Sequence, residues 1–155
     1  MPGKGRLGLY PRRFELWSGD ERIGAARSVW AIINAETRSM AALSDAPLSG
    51  ETERQSLRMD SIPAPDGGES FRFAPAAEYI DRNGHMNNAA YLAALAEYLP
   101  ENSGFGLSIL YHREIMPGVE VTVHWQDTDG ARLFQGTVGD EECFRLSYSA
   151  AVSPA

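Results

Sequence analysis

The chain has 155 residues, enough for one ordinary domain with a sizeable core but too few for two complete ones. Hydrophobic residues make up 43% and charged residues 23%, the balance of a soluble globular protein; no apolar run approaches the ~18 residues that span a bilayer, and no leader-like apolar core opens the sequence, so a cytoplasmic protein without a membrane span is expected. A net charge of −7 with no recognised nucleic-acid motif argues against nucleic acid as a partner, and the single cysteine, Cys143, rules out an internal disulfide and a cysteine-rich metal cluster.

The charge is unevenly spread. Residues 1–38 carry seven basic side chains (Lys4, Arg6, Arg12, Arg13, Arg22, Arg27 and Arg38) and four acidic ones, a balance of +3, which leaves −10 for the rest. A solvated strand surface explains such spacing as well as a site for an anionic partner does, and is preferred. Within this region, residues 12–17 and 22–34 are predicted strands about the turn Ser18-Gly19-Asp20-Glu21, since Phe14 and Leu16 alternate with Arg13, Glu15 and Trp17. The later half of the second strand is apolar at both parities around Val29, Trp30 and Ile32, the pattern of a central strand buried on two faces.

Residues 44–70 lose periodicity and gather Pro47, Pro63, Pro65, Gly67 and Gly68 among charges, which predicts a connector. A strand from about residue 71 is followed by a loop and by a helix over about Asn88–Leu99, where Tyr91, Leu92, Leu95, Ala96 and Leu99 recur at spacings of three and four, Asn87 or Asn88 can cap, and Pro100 stops the run. Residues 107–116, 119–126, 131–138 and 142–152 are predicted to form an antiparallel meander with Asp129-Gly130 as a hairpin turn, Val119, Val121, Val123 and Trp125 alternating with polar residues and Phe144, Leu146, Tyr148, Ala150 and Val152 sharing one face of the last strand. One helix beside one long antiparallel sheet is an α+β architecture.

The densest polar cluster, Asp81-Arg82-Asn83-Gly84-His85-Met86-Asn87-Asn88, falls between a predicted strand and the predicted helix. N–H groups left unpaired at a helix start can receive a carbonyl oxygen or a developing oxyanion, and an acid, an amide and an imidazole within a few residues supply what acyl transfer to water requires. Taken on spacing alone, the same residues fix a turn: Asp81 and Asn83 shape it, Asn87 or Asn88 caps the helix, and His85 is a satisfied structural histidine. His112 and His124 are placed on the sheet surface, and three scattered histidines make no metal site. Cys143 is expected to act as a small buried hydrophobe.

The run Asp81-x-Asn83-x-His85-Met86-Asn87-Asn88-x-x-Tyr91 resembles the active-site signature of the acyl-acyl carrier protein thioesterases of plants and bacteria. Ile23-Gly24-Ala25-Ala26-Arg27-Ser28-Val29-Trp30 with Asn34, Thr37 and Arg38 is similar to part of the first repeat of that family, and Tyr111-His112-Arg113-Glu114 is similar to the strand that brings in a catalytic carboxylate. The resemblance implies a hotdog fold, a long antiparallel sheet wrapped around one central helix, plus a partial second hotdog repeat. It divides the chain into an N-terminally shortened first repeat of strands only (1–43), the connector (44–70) and a complete second repeat (71–155).

By the same resemblance the catalytic residues are Asp81, Asn83, His85 and Glu114: Asp81 as nucleophile or general base, Glu114 as base for water, Asn83 as an orienting amide, and His85 as a partner that stabilises charge. Ile115 stands where plant members have a cysteine, which excludes a thiol nucleophile there. No cofactor or metal is implied. The implied reaction is hydrolysis of fatty acyl thioesters of acyl carrier protein, with acyl-CoA as an alternative donor. A non-catalytic remnant of a double-hotdog thioesterase is the competing reading, and the apolar side chains of the shortened first repeat lead to the expectation of a homodimer.

Overall fold

The computed structural model describes residues 9–34, 36, 37, 39, 40, 61–101 and 104–150. It divides into two compact units, Met1–Met59 and Asp60–Ala155. Residues 1–8 and 151–155, the predicted connector as far as residue 60, and Lys4, Arg6 and Arg38 of the basic set lie outside the described residues.

The first unit is built on a hairpin of β1 (Leu9–Ser18) and β2 (Glu21–Ala31), turning at Gly19-Asp20 where Gly19 has φ +63°. The first strand runs past its predicted limits, the second stops at Ala31 short of the predicted residue 34, and a bulge between Leu16 and Trp17 shifts the register so that Trp17 faces Arg22. The apolar pattern of β2 predicts burial on two faces, but among the described residues β2 pairs with β1 alone, and Val29 and Trp30 are 41% and 46% exposed. No further strand covers its outer edge among the described residues. The hairpin's Phe14 and Leu16 are likewise exposed.

The second unit is a five-stranded antiparallel sheet of β3 (Glu69–Phe73), β4 (Phe105–Tyr111), β5 (Val121–Thr128), β6 (Ala131–Val138) and β7 (Glu141–Ala150), in the order β3-β5-β6-β7-β4. The expected four-strand meander is therefore three strands, β5-β6-β7. The preceding strand crosses to the far edge and pairs with β7 instead of β5. It also stops at Tyr111 rather than residue 116: the N–H groups of His112 and Arg113 both donate to one carbonyl, that of Cys143 (2.8 and 3.1 Å), so the ladder cannot continue. Residues 112–120 are then free to leave the sheet, and Glu114 goes with them.

Period-two alternation places the inward residues of β5 and β7, while Leu133 beside Phe134 and Cys143 beside Phe144 are buried at both parities. Val121, Val123, Phe134, Phe144 and Leu146 are wholly buried, and α1 (Ala90–Leu95) lays Ala90, Tyr91 and Leu95 against them. The helix is shorter than the predicted 88–99. Asn87 takes the N–H of Ala89 on its side chain (2.8 Å) and the N–H of Ala90 on its carbonyl (2.9 Å), so a turn precedes the first helical residue. After Leu95 the chain tightens into a 3-10 turn, Ala96–Tyr98, where Tyr98 stacks on Phe71 with ring centroids 3.8 Å apart and its carbonyl accepts from Arg132. Packing of Tyr98 thus prevails over the helical propensity of the alanine-rich run. The end of the predicted connector, 61–68, has no regular structure, yet Ile62 is buried and its carbonyl accepts from Arg145 Nη1 at 2.9 Å.

Gly136 shows how tightly the sheet face is filled. It lies opposite Phe144 across the β6–β7 pair, and a Cβ placed on it would sit 1.9 Å from Phe144 Cε1. Phe144 is fully buried and edge-on to Tyr91 (5.2 Å, 87°), so the ring has nowhere to retreat. Gly136→Ala is expected to destabilise the protein by about 1–3 kcal/mol, the usual cost of overpacking, as measured by urea unfolding; an unchanged midpoint would show that the ring moves freely.

Candidate active site

The segment 80–88 is a loop closed on itself. An isolated bridge joins Ile80 to Met86, the N–H of Asp81 donates to the His85 carbonyl (3.0 Å), and that of Gly84 donates to the Asp81 carbonyl (3.0 Å). Gly84 sits at φ +83°, which a side-chain-bearing residue adopts only with strain. One bond outward fixes the loop to the segment that left the sheet: the Met86 N–H donates to the Ile115 carbonyl at 2.8 Å, and both residues are wholly buried.

That bond places two residues distant in sequence side by side. His85 Nε2 lies 3.6 Å from Glu114 Oε1, with His85 mostly buried and Glu114 about half exposed. His85 Nδ1 is 3.3 Å from the Met86 carbonyl oxygen. A carbonyl only accepts, so this contact favours a proton on Nδ1 and leaves Nε2 facing the carboxylate. The separation is an ion-pair distance when the ring is protonated and is wider than a direct hydrogen bond.

His85 and Glu114 line one cleft of about 150 Å³ together with Met86, Asn88, Tyr91, Tyr111, His112 and Arg113. The other two expected residues are spent on each other. Asp81 accepts the Asn83 N–H on Oδ1 (2.7 Å) and the Asn83 amide on Oδ2 (3.1 Å). Burial acts to raise the Asp81 pKa, but these two bonds and the neighbouring His85 outweigh it and hold the carboxyl below its ordinary range. The structure therefore brings His85 and Glu114 together in the cleft, with Asp81 and Asn83 forming the turn that carries His85. The helix start is also less available than its sequence implies, because the N–H groups of Ala89 and Ala90 are already taken by Asn87.

The cleft's remaining polar groups went unassigned by sequence reasoning. Tyr91, expected only as a helix core residue and part of the motif, is 2% exposed and edge-on to Tyr111 (5.0 Å, 80°). Burial, with the Cys143 thiol and Tyr111 nearby, pushes its pKa up to about 12, so its hydroxyl stays neutral. The Tyr111 hydroxyl, raised in pKa by burial, donates to the Asn88 carbonyl (3.0 Å) and ties the end of β4 to the helix start. His112, expected on the sheet surface, lines the cleft, with Nε2 3.2 Å from Glu142 Oε1. The available signal was proximity in sequence, since Tyr111, His112 and Arg113 directly precede Glu114 and all four line the cleft. His124 is exposed on β5. Cys143 is buried, its thiol raised in pKa by that burial, and it packs in the core as a small hydrophobe.

The chain is similar to a solved acyl-acyl carrier protein thioesterase from Bacteroides thetaiotaomicron, at 22% identity and a TM-score of 0.71 over 94% of this chain and 64% of that one. It is also similar to a 12:0-acyl carrier protein thioesterase from Umbellularia californica, at 15% identity and a TM-score of 0.67 over 95% of this chain and 62% of that one. These likenesses establish the hotdog fold, and the chain spans somewhat under two thirds of either relative's length. No curated protein sequence matches the chain. The family model for the acyl-acyl carrier protein thioesterase C-terminal domain matches residues 65–142, half of the sequence and the whole of the cleft, and the chain belongs to that family.

Proposed function

We propose that this protein hydrolyses fatty acyl thioesters, with acyl-acyl carrier protein as the principal substrate and acyl-CoA as the alternative, and that the chemistry takes place between His85 and Glu114. The observation that carries this reading is the 3.6 Å approach of the two side chains in one cleft of a thioesterase-family domain. Glu114 takes a proton from a water bound beside the pair, and the water oxygen bonds to the thioester carbon. His85 in its doubly protonated form donates Nε2–H to the carbonyl oxygen and stabilises the charge that develops there, and the carbon–sulfur bond breaks. The departing thiolate recovers the proton from Glu114, releasing a free fatty acid and a thiol. Asp81 and Asn83 serve by holding the turn that aims His85. Such an activity belongs to fatty acid metabolism in the cytoplasm.

We further read residues 1–43 as part of a first hotdog repeat, 44–70 as its connector and 71–155 as a complete second repeat. The cleft of about 150 Å³ falls below the ~300–1,000 Å³ typical of a ligand pocket, so it suits the reacting end of a substrate and not a whole acyl chain. This observation supports the competing reading of a non-catalytic remnant, and assay decides between the two. With decanoyl and palmitoyl thioesters of acyl carrier protein and of CoA, the wild type is expected to release free acid. His85→Ala and Glu114→Gln are each expected to reduce the rate by roughly 10²–10⁴-fold, the range for loss of a proton-transfer group, and Cys143→Ser to leave it nearly unchanged. A folded wild type that releases no acid from any of the four substrates would favour the remnant.

Asp81 supplies a pH test. Its folded-state pKa lies below the ordinary value of 3.8, so its stabilising contribution is fully present above that value and disappears as the pH falls through the folded-state one. Asp81→Asn is expected to be less stable than wild type at pH 7, with the gap closing below about pH 4, in urea unfolding across that range. A gap that stays constant or widens on acidification would contradict an ionised Asp81 in the turn.

The hairpin supports a homodimer. Phe14, Leu16 and Trp30 are exposed large apolar side chains on a two-stranded sheet. Pairing two such sheets about a two-fold axis buries them in a closed contact, and about 800 Å² per partner is enough for a stable interface. Sedimentation at micromolar concentration is expected to give a dimer; a single species at the 17.0 kDa monomer mass would overturn this.

A further inference from the structure

His112 belongs to the cleft by position but has been given no part in the chemistry. The chain at His112 and Arg113 is fixed to β7 by backbone, both N–H groups donating to the Cys143 carbonyl. Each side chain then reaches a carboxylate on the same strand: Arg113 Nη1 lies 2.6 Å from Glu141 Oε2, and His112 Nε2 lies 3.2 Å from Glu142 Oε1. The two contacts are unequal. Arg113 and Glu141 are exposed at 59% and 58%, where an ion pair is screened and contributes little.

Glu142 is held far more firmly. Its carboxylate is 23% exposed and receives Gln135 Nε2, Arg145 Nε at 2.9 Å and Arg145 Nη2 at 2.9 Å, while Arg145 Nη1 is itself fixed on the Ile62 carbonyl. Burial acts to raise the Glu142 pKa, but the bonds from Gln135 and Arg145, with the charges of Arg145 and His112, bring it below the ordinary range, so the carboxylate is ionised at neutral pH. A ring moored to such a post moves little. Glu114 follows two residues later, and the Ile115 carbonyl, bound to the Met86 N–H, fixes its other side.

We infer that His112, moored on Glu142, is a positioning residue that sets the Glu114 carboxylate against His85, an inference that rests on the thioesterase reading above. Between the two anchors the backbone at Glu114 has little freedom. Release of the His112 side chain removes one anchor while the two N–H donations to the Cys143 carbonyl remain, so the segment shifts locally, and a displacement of about 1 Å at a reacting group is enough to cost on the order of 10²-fold in rate. Glu142 acts through His112 and does not line the cleft.

The test uses Glu142→Gln, His112→Leu, the double variant and His112→Gln, each in the full chain with thermal unfolding as the control for folding. Kinetics are expected to show kcat lowered about 10-fold or more with KM little changed in both single charge-removing variants, no further loss in the double variant, and partial recovery in His112→Gln, whose amide can still donate to Glu142. A second readout needs no activity: the His85 ring ¹⁵N resonances at neutral pH are expected to shift in Glu142→Gln, which substitutes no cleft-lining residue. Folded variants with wild-type kcat and unmoved His85 resonances would overturn the proposal, as would additive losses in the double variant. A wild type with no hydrolytic activity would defeat the thioesterase reading alone, and the His85 resonances would still decide the positioning role. Should Glu142→Gln not fold, the two His112 variants carry the same readouts.

Discussion

One backbone hydrogen bond holds the candidate site together. The Met86 N–H and the Ile115 carbonyl lie 2.8 Å apart in a wholly buried setting, where leaving either group unpaired costs about 1–3 kcal/mol. Met86 belongs to the loop before the helix, and Ile115 to the segment released from the sheet after β4. No side chain of the site makes this bond, yet it determines that His85 and Glu114, each the residue before a bonded one, come within 3.6 Å. The sheet prepares for it. Both N–H groups after Tyr111 are captured by the Cys143 carbonyl, which ends the ladder at the point where residues 112–116 must turn toward the helix.

Around this bond the site combines fixed charge with neutral hydroxyls. The carboxylates of Asp81 and Glu142 are each held by several donors, and neither is among the residues that line the cleft. Burial keeps the hydroxyls of Tyr91 and Tyr111 neutral. Both rings pack edge-on to each other, and Tyr91 packs edge-on to Phe144, so the aromatic contacts of the core extend to the cleft wall. A site of this kind is rigid where its supports are, and the half-exposed Glu114 is its most accessible acid.

Much of this was legible in the sequence, for reasons that can be named. Val121, Val123, Phe144, Leu146 and Tyr148 are buried where period-two alternation places them, because one face of an antiparallel sheet meets the core. The segment from Asp81 to Asn88 forms the loop expected between a strand and the helix, since most of its hydrogen bonds run within a few residues. What could not be read is non-local. The pairing of β4 with β7 depends on a crossover, and strand composition does not record it. The helix loses its last turn to Tyr98 packing on Phe71, a contact across the fold. The apolar run in β2 predicts burial, and the described residues supply no element to cover it. In the site, residues 112 and 114 line one cleft, but the carboxylate that holds His112 comes from β7, 30 residues onward in the chain, and no short motif points to it.

The most direct test of this account is amide hydrogen exchange at Met86. If its bond to Ile115 is the tie on which the site depends, the Met86 amide is expected to exchange as slowly as the amides of Val123, Phe134 and Leu146 in the central strands, opening only when the sheet unit unfolds. A Met86 amide that exchanges orders of magnitude faster than those strands would show that the loop parts from residues 112–116 in the folded protein, and would contradict the claim that this bond fixes His85 against Glu114.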